Sequence, residues 1–486
     1  MVYKTMNNKT VFSNLIWRFA ERIGAQLVAF IVSVALARIL DPSAYGVVAL
    51  ILVFTTILQV FVDSGLGNAL IQKKEADNID FSTVFFTNLI FCSVLYVLLF
   101  IASPYIASFY GDSYITAYMR VLGLTVFISG ITNVQQAYVS RNMLFKRFFF
   151  STLGGTIVAG VIGLAMAYCG CGVWALVAQQ VINLAIDTMI LWITVRWRPN
   201  FVFSFERLKV LFSFGWKLLV SSLLDIVYNN IRQLLIGKIY SSSDLAFYNQ
   251  GDKFPKLVIS NINTSIDSVL LPAMSKEQDS KERIKNMTRS SIKVSVYIMA
   301  PLMMGLAFCG NSIVGLILTD KWLPCVFFMQ IFCITYMFWP IHTANLNAIK
   351  AMGRSDLFLK LEILKKAVGI IALFATMFIS VKAMALSLLL TSITSQIINS
   401  WPNKKLLNYG YAEQLRDIIP AIGLAVAMGV IIYPVQYLQL SYSLTLLIQV
   451  PLGAIIYIVG SKLLHIDSFE YLLGIVKSYI QKLRRK

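Results

Sequence analysis

The stretch WRFAERIGAQLVAFIVSVALARILDPSAYG, residues 17–46, has a counterpart about 200 residues later in WKLLVSSLLDIVYNNIRQLLIGKIYSSSDLAFY, residues 216–248. Each opens on a tryptophan followed by a basic residue, Trp17-Arg18 and Trp216-Lys217, and each apolar run closes near a second basic residue, Arg38 and Lys238. Tyr45-Gly46 and Phe247-Tyr248 follow, and then a further apolar stretch ending in Asp63-Ser64 or Asp267-Ser268. A chain that repeats membrane-type helices with basic residues inside them is expected to be a transporter of two halves.

Composition places the chain in the membrane. Of its 486 residues 58% are hydrophobic, and the mean hydropathy is +0.72, outside the range of soluble globular domains. A helix crosses a bilayer in about 20 apolar residues. About fourteen such segments are centred near residues 27, 55, 91, 126, 160, 184, 226, 258, 299, 335, 370, 392, 428 and 452. The expected fold is therefore all-α and polytopic: two parallel six-helix bundles around a central cavity, with two accessory helices. Parallel repeats follow because an even number of spans separates the first from the seventh, so both enter the membrane in the same direction.

The expected divisions are 1–196 for the first bundle, 197–212 for a linker helix lying on the inner leaflet, 213–403 for the second bundle, 404–465 for the accessory helices, and 466–486 for a basic amphipathic tail. Residues 273–290 read as a charged loop with a short surface helix.

The net charge of +19 follows topology rather than nucleic acid. Loops after even-numbered spans carry Lys73, Lys74, Arg141, Lys146, Arg147, Arg196, Arg198, Lys281, Arg283, Lys404 and Lys405, whereas those after odd-numbered spans carry few basic residues. Basic loops stay on the cytoplasmic side during insertion, so both termini are expected there. The first span is read as retained rather than as a signal peptide, because Arg18, Glu21 and Arg22 interrupt it. The six cysteines show no metal-ligand spacing, and the two histidines, His342 and His465, exclude a His-rich metal site. No Walker loop is present. No catalytic residue, cofactor or metal site is nominated, and the chain is not expected to be an enzyme.

Charged side chains inside spans are costly, by roughly 2.5–3.5 kcal/mol at mid-bilayer on insertion scales. Here they fall in stripes. Arg18, Arg22, Gln26, Ala29 and Ser33 share a face of the first span. Lys217, Ser221, Asp225, Tyr228 and Arg232 share one in the seventh, and Asn249, Lys253, Lys256, Ser260, Asn263 and Asp267 share one in the eighth. Steps of three and four mark a single helical face, so each stripe can turn from lipid toward an interior. The alternative for each cation is snorkelling or pairing, with Glu21, Asp225 and Asp252 as the nearest acids. Arg18, Arg22, Lys217, Arg232, Lys253 and Lys256 are the candidate substrate-binding residues, and Glu21, Asp63 and Asp225 the candidates for ion coupling. Asp187, Glu362, Lys365 and Lys366 are further charges at span depth, and His342 is a packed polar residue or a proton-responsive group. Six cations against Glu21, Asp225 and Asp252 leave a cationic surround suited to phosphate, which arginine grips through a planar two-point fork.

Four runs carry a resemblance: LARILDPSAYG (Leu36–Gly46), VDSGLGNALIQKK (Val62–Lys74), RNMLFKR (Arg141–Arg147) and GVWALVAQQ (Gly172–Gln180). In this order and spacing the chain resembles the polysaccharide biosynthesis flippases, within the Wzx-type branch that includes the colanic-acid and teichuronic-acid exporters. That branch belongs to the multidrug/oligosaccharidyl-lipid/polysaccharide transporter superfamily. The resemblance implies a V-shaped pair of six-helix bundles with a cationic cavity. It also implies transfer of an undecaprenyl-pyrophosphate-linked oligosaccharide across a bacterial cytoplasmic membrane. The implied partners are that lipid-linked oligosaccharide, membrane lipids, and polysaccharide polymerase and export proteins. Cation or drug efflux and peptidoglycan-precursor flipping remain the alternatives within the superfamily. A polysaccharide polymerase or transferase is the alternative outside it, and would be expected to carry a large external loop.

Overall fold

The computed structural model describes residues 8–63, 66–73 and 75–484, and the regular elements within them are helices. Contacts divide the chain into two compact units, residues 1–246 and 247–486.

The first unit holds α1 (Asn8–Ile39), α2 (Pro42–Asp63), α3 (Leu66–Gln72), α4 (Asn78–Tyr110), α5 (Tyr114–Arg141), α6 (Phe145–Tyr168), α7 (Val173–Thr194) and α8 (Phe205–Ile239). α4 shows why these segments sit in lipid. Its Asn88, Cys92, Leu95, Leu99 and Ser103 are buried, while Ile90, Val94, Val97, Leu98 and Ile101 on the other face stay exposed and apolar. An exposed band of large aliphatics is stable only against hydrocarbon. Its start is fixed by a reciprocal cap, in which the Asp77 carboxylate accepts from the Asp80 N–H at 3.0 Å and Asp80 accepts from the Asp77 N–H at 3.1 Å. Helix–helix approach relies on small residues. A Cβ on Gly155 of α6 would lie 2.7 Å from the Asn183 carbonyl oxygen of α7.

Residues 195–204 contain no helix, which corrects the expected linker helix over 197–212; only its last part, from Phe205, is helical. The cause is a set of competing hydrogen bonds. Pro199 has no N–H to give a helix. The N–H of Asn200 donates to Ser82 Oγ at 3.0 Å, that of Ser204 to Thr83 Oγ1 at 3.1 Å, and Trp197 Nε1 to Asn78 Oδ1 at 2.6 Å. The extended strap is thus fastened to the first turns of α4. Beyond it, α8 bends by 52° between Phe205–Ser213 and Leu218–Ile239 and packs on α2, α3 and α4. The division between compact units therefore falls after residue 246, not in the strap where the repeat suggests it.

α9 (Ser242–Lys276) starts at the end of the first unit and runs into the second. The second unit continues with α10 (Lys281–Phe308), α11 (Gly310–Ile317), α12 (Cys325–Met337), α13 (Trp339–Ala351), α14 (Ser355–Thr376), α15 (Val381–Leu407), α16 (Tyr411–Ile432), α17 (Tyr442–Leu463) and α18 (Asp467–Arg484). The loop expected over 273–290 shrinks to four residues, 277–280, because α9 runs on to Lys276 and Ser280 caps α10. Gly251 permits α9 to press on α12, since a Cβ there would meet Phe328 Cβ at 2.7 Å and the Cys325 carbonyl oxygen at 2.8 Å. α14 and α15 form a hairpin, and α13 packs on α10, α14 and α15.

Among the described residues eleven helices are long and apolar enough to cross a membrane, or twelve if bent α8 is one span. The protein is a multi-pass membrane protein.

Candidate substrate-binding residues

The side chains of Arg18, Glu21, Arg22, Asp63 and Lys217 lie outside the described residues; their backbones belong to α1, α2 and α8. The other candidates divide between the units.

In the first unit Arg232 is buried, with 8% of its surface exposed, and Asp225, two turns earlier on α8, is exposed. Counted from Leu218, Arg232 is about 21 Å along the straight segment and about 10 Å from its end. The same end of α8 is tied down: Tyr110 Oη donates to the Leu234 carbonyl at 3.4 Å. Lys238 donates to the Phe109 carbonyl and lies 4.2 Å over the Phe109 ring. That lysine caps and stacks, which is the work of an anchor.

In the second unit the stripe on α9 is shared between two tasks. Asp252 accepts from Tyr336 Oη of α12 at 2.5 Å, Asn263 from Thr343 Oγ1 at 2.7 Å, and Asp267 from Asn347 Nδ2 at 2.9 Å. These groups fasten α9 to α12 and α13. Lys256 sits 3.3 Å from Asp252 with its side chain 62% exposed, and Lys253 is partly buried. Lys256 is therefore held beside an acid, Asp252, that already serves helix packing.

Several charged groups make contacts the sequence reading did not assign to them. Arg120 of α5 donates from Nε to Ser103 Oγ at 3.1 Å and lies 3.9 Å over the Phe100 ring. Arg141 closes α3, donating to the carbonyls of Leu70, Ile71 and Lys73 at 2.9, 3.3 and 2.6 Å. A cation at the end of a helix satisfies orphan carbonyls and opposes the dipole. Asp80 is fully buried and meets Lys73 at 2.7 Å and Arg207 at 3.3 Å. Arg207 also binds Asp77, and that hydrogen bond holds the Asp77 carboxyl down at about 2. The spacing Asp77–Asp80 ahead of an apolar run is the sequence signal for this cap.

Comparison with known proteins follows the same lines. Residues 35–327 match the family described as polysaccharide biosynthesis protein, and the chain belongs to that family. It is 25% identical to the teichuronic acid biosynthesis protein TuaB of Bacillus subtilis (strain 168), over 83% of this chain and 85% of that one. It is 24% identical to the succinoglycan biosynthesis transport protein ExoT of Rhizobium meliloti (strain 1021), over 65% of this chain and 64% of that one. In structure it is similar to the lipid II flippase MurJ in an inward closed conformation. The TM-score is 0.73, with 93% of this chain and 99% of that chain covered at 13% identity. At that identity the likeness speaks for the fold.

Proposed function

We propose that the protein is a flippase for surface-polysaccharide assembly. It moves an undecaprenyl-pyrophosphate-linked oligosaccharide repeat unit across the bacterial cytoplasmic membrane by alternating access. On this reading it has fourteen spans, two six-helix bundles plus two accessory helices, and both termini in the cytoplasm. It carries no catalytic step. The reading is supported by membership of a polysaccharide biosynthesis family, by ExoT's being a transport protein, and by a fold similar to that of a lipid II flippase.

The observation that carries the substrate class is Arg232, a guanidinium buried on α8 in such a chain. Arg18, Arg22 and Arg232 bind the pyrophosphate, with Lys217, Lys253 and Lys256 adding positive charge. A two-point fork on phosphate oxygens is what arginine supplies and lysine does not. The polyprenyl chain remains in lipid while the sugar head crosses. A lipophilic cation, the cargo of the competing efflux reading, would be repelled by these residues. Glu21, Asp63 or Asp225 serves ion coupling on the sequence reading.

Disruption of the gene tests this in cells. Surface polysaccharide is expected to be lost, with sugar-loaded lipid carrier accumulating and drug sensitivity unchanged. Full surface polysaccharide in the disrupted strain, or sensitisation to cationic drugs alone, would refute the reading.

A further inference from the structure

α17, one of the helices long and apolar enough to cross a membrane, ends at Leu463, and α18 begins at Asp467. The three residues between them reach at most about 10 Å, so α18 starts at or next to a bilayer surface. Leu463 and Leu464 at the junction are exposed, as residues beside hydrocarbon can be. α18 does not cross in its turn. Its 18 residues include Asp467, Glu470, Lys477, Lys482 and Arg484, and charge at mid-bilayer is costly.

The root of α18 is held by the second unit, where the helix packs on α10 and α17. Ile466 and Ser468 are buried. The Ile466 N–H donates to the Ser461 carbonyl at 3.1 Å, and Lys293 Nζ of α10 donates to the Asp467 carboxylate at 2.5 Å. Further along, Tyr471, Leu473, Lys477 and Gln481 are exposed. A helix of about 12–15 residues with nothing packed on it is marginal in water, so the far part of α18 calls for a covering surface.

The sequence says which surface. Phe469, Leu472, Leu473, Val476, Ile480 and Leu483 recur at steps that keep one helical face. Charge is graded along the helix: Asp467 and Glu470 come first, then Lys477, Lys482, Arg484, Arg485 and Lys486, the last two beyond the described residues. The helix dipole accounts for cations in a last turn. It does not account for Lys477, two turns from the end, or for the apolar face. An apolar face bordered by cations, on a helix that starts at a bilayer surface, matches a leaflet with anionic headgroups.

We propose that α18 is an arm that lies in the headgroup region and binds anionic phospholipid, rooted by the Lys293–Asp467 ion pair. Its apolar face enters the acyl boundary while the cations of its far half meet lipid phosphates. The bilayer is the occupant already in place, and a partner protein would have to displace it. Because α10 holds the root, the charge of the membrane acts on a helix of the second unit that is itself long and apolar enough to cross. The proposal stands apart from the choice of transported substrate.

The test uses full-length protein in vesicles of phosphatidylcholine alone or mixed with phosphatidylglycerol. Amide hydrogen exchange over residues 470–484 is expected to slow when phosphatidylglycerol is present and to speed up again in high salt. Combining Lys477→Gln, Lys482→Gln, Arg484→Gln, Arg485→Gln and Lys486→Gln is expected to abolish that protection, since each basic residue contributes roughly fivefold to affinity for an anionic surface. The root is untouched in this variant, which is expected to unfold in detergent like wild type. Equal protection in both kinds of vesicle overturns the assignment to anionic lipid. Fast exchange in both, the behaviour of a solvated tail, overturns it as well. So does protection that rises with protein density at fixed lipid composition, which marks a second copy as the occupant. If the combined variant does not fold, the wild-type response to phosphatidylglycerol and to salt decides alone.

Discussion

Asp80 has no exposed surface, yet two cations and one backbone N–H converge on it. Lys73 and Arg207 are about one-third exposed and keep access to water, so Asp80→Ala leaves no buried charge behind and is expected to destabilise by about 1–3 kcal/mol through its lost hydrogen bonds, read as thermal unfolding in detergent. Lys73→Met leaves the buried Asp80 carboxylate with Arg207 alone and is expected to cost at least as much. Its neighbour Asp77 is half exposed and belongs to a screened pair. Arg207 lowers the Asp77 carboxyl from 3.8 to about 2 in the folded protein. A depressed acid stabilises the fold above its unfolded value, and that contribution is lost as pH falls from about 4 through about 2. Arg207→Gln is therefore expected to flatten the acid limb of the melting-temperature profile. An unchanged limb would mean that the pair contributes nothing.

Residue-scale legibility was uneven. The charges were visible on sight, because Arg232 or Lys365 stands out within apolar sequence. Their partners were not, since Asp252 with Tyr336 and Asp267 with Asn347 are joined by 84 and 80 residues of chain folding back. Periodicity identifies a face but not what the face meets.

At the scale of elements, apolar run length, set by the bilayer, gave about fourteen spans; among the described residues eleven helices are long and apolar enough, or twelve with bent α8, and the segments expected near 27 and 370 are not among them. Two connections were also misread. Residues 195–204 leave the helix for hydrogen bonds to Ser82 and Thr83, a tertiary cause absent from local sequence. The loop over 273–290 was overestimated because charged helical residues continue past the apolar run into water, and a membrane-length rule stops where hydrophobicity stops. The α6–α7 interface offers a clean check on packing. A bulky side chain at Gly155 must displace the α7 backbone at Asn183. Gly155→Leu is expected to destabilise by about 1–3 kcal/mol, measured as a lower midpoint of thermal unfolding. Gly111, where no neighbouring atom lies within reach but φ is +77°, is expected to tolerate Asn far better than Val, because the left-handed region suits Asn and not β-branched residues.

On the scale of the whole molecule, duplication was the legible feature and the boundary between compact units was not. The repeat begins at Trp216, inside α8, and α8 packs with α2 and α4 in the first unit. A repeat boundary marks where sequence similarity restarts; a compact unit is set by which faces bury one another. Of the cationic stripes, the structure describes Arg232 as buried and Lys256 as largely exposed. What they bind is a matter of transport. The most direct measurement follows a labelled undecaprenyl-pyrophosphate oligosaccharide between leaflets of vesicles containing the purified protein. The account predicts transfer well above protein-free vesicles, largely lost in Arg232→Ala and only partly restored by Arg232→Lys. A head group that stays in its original leaflet, or transfer indifferent to Arg232, would contradict it.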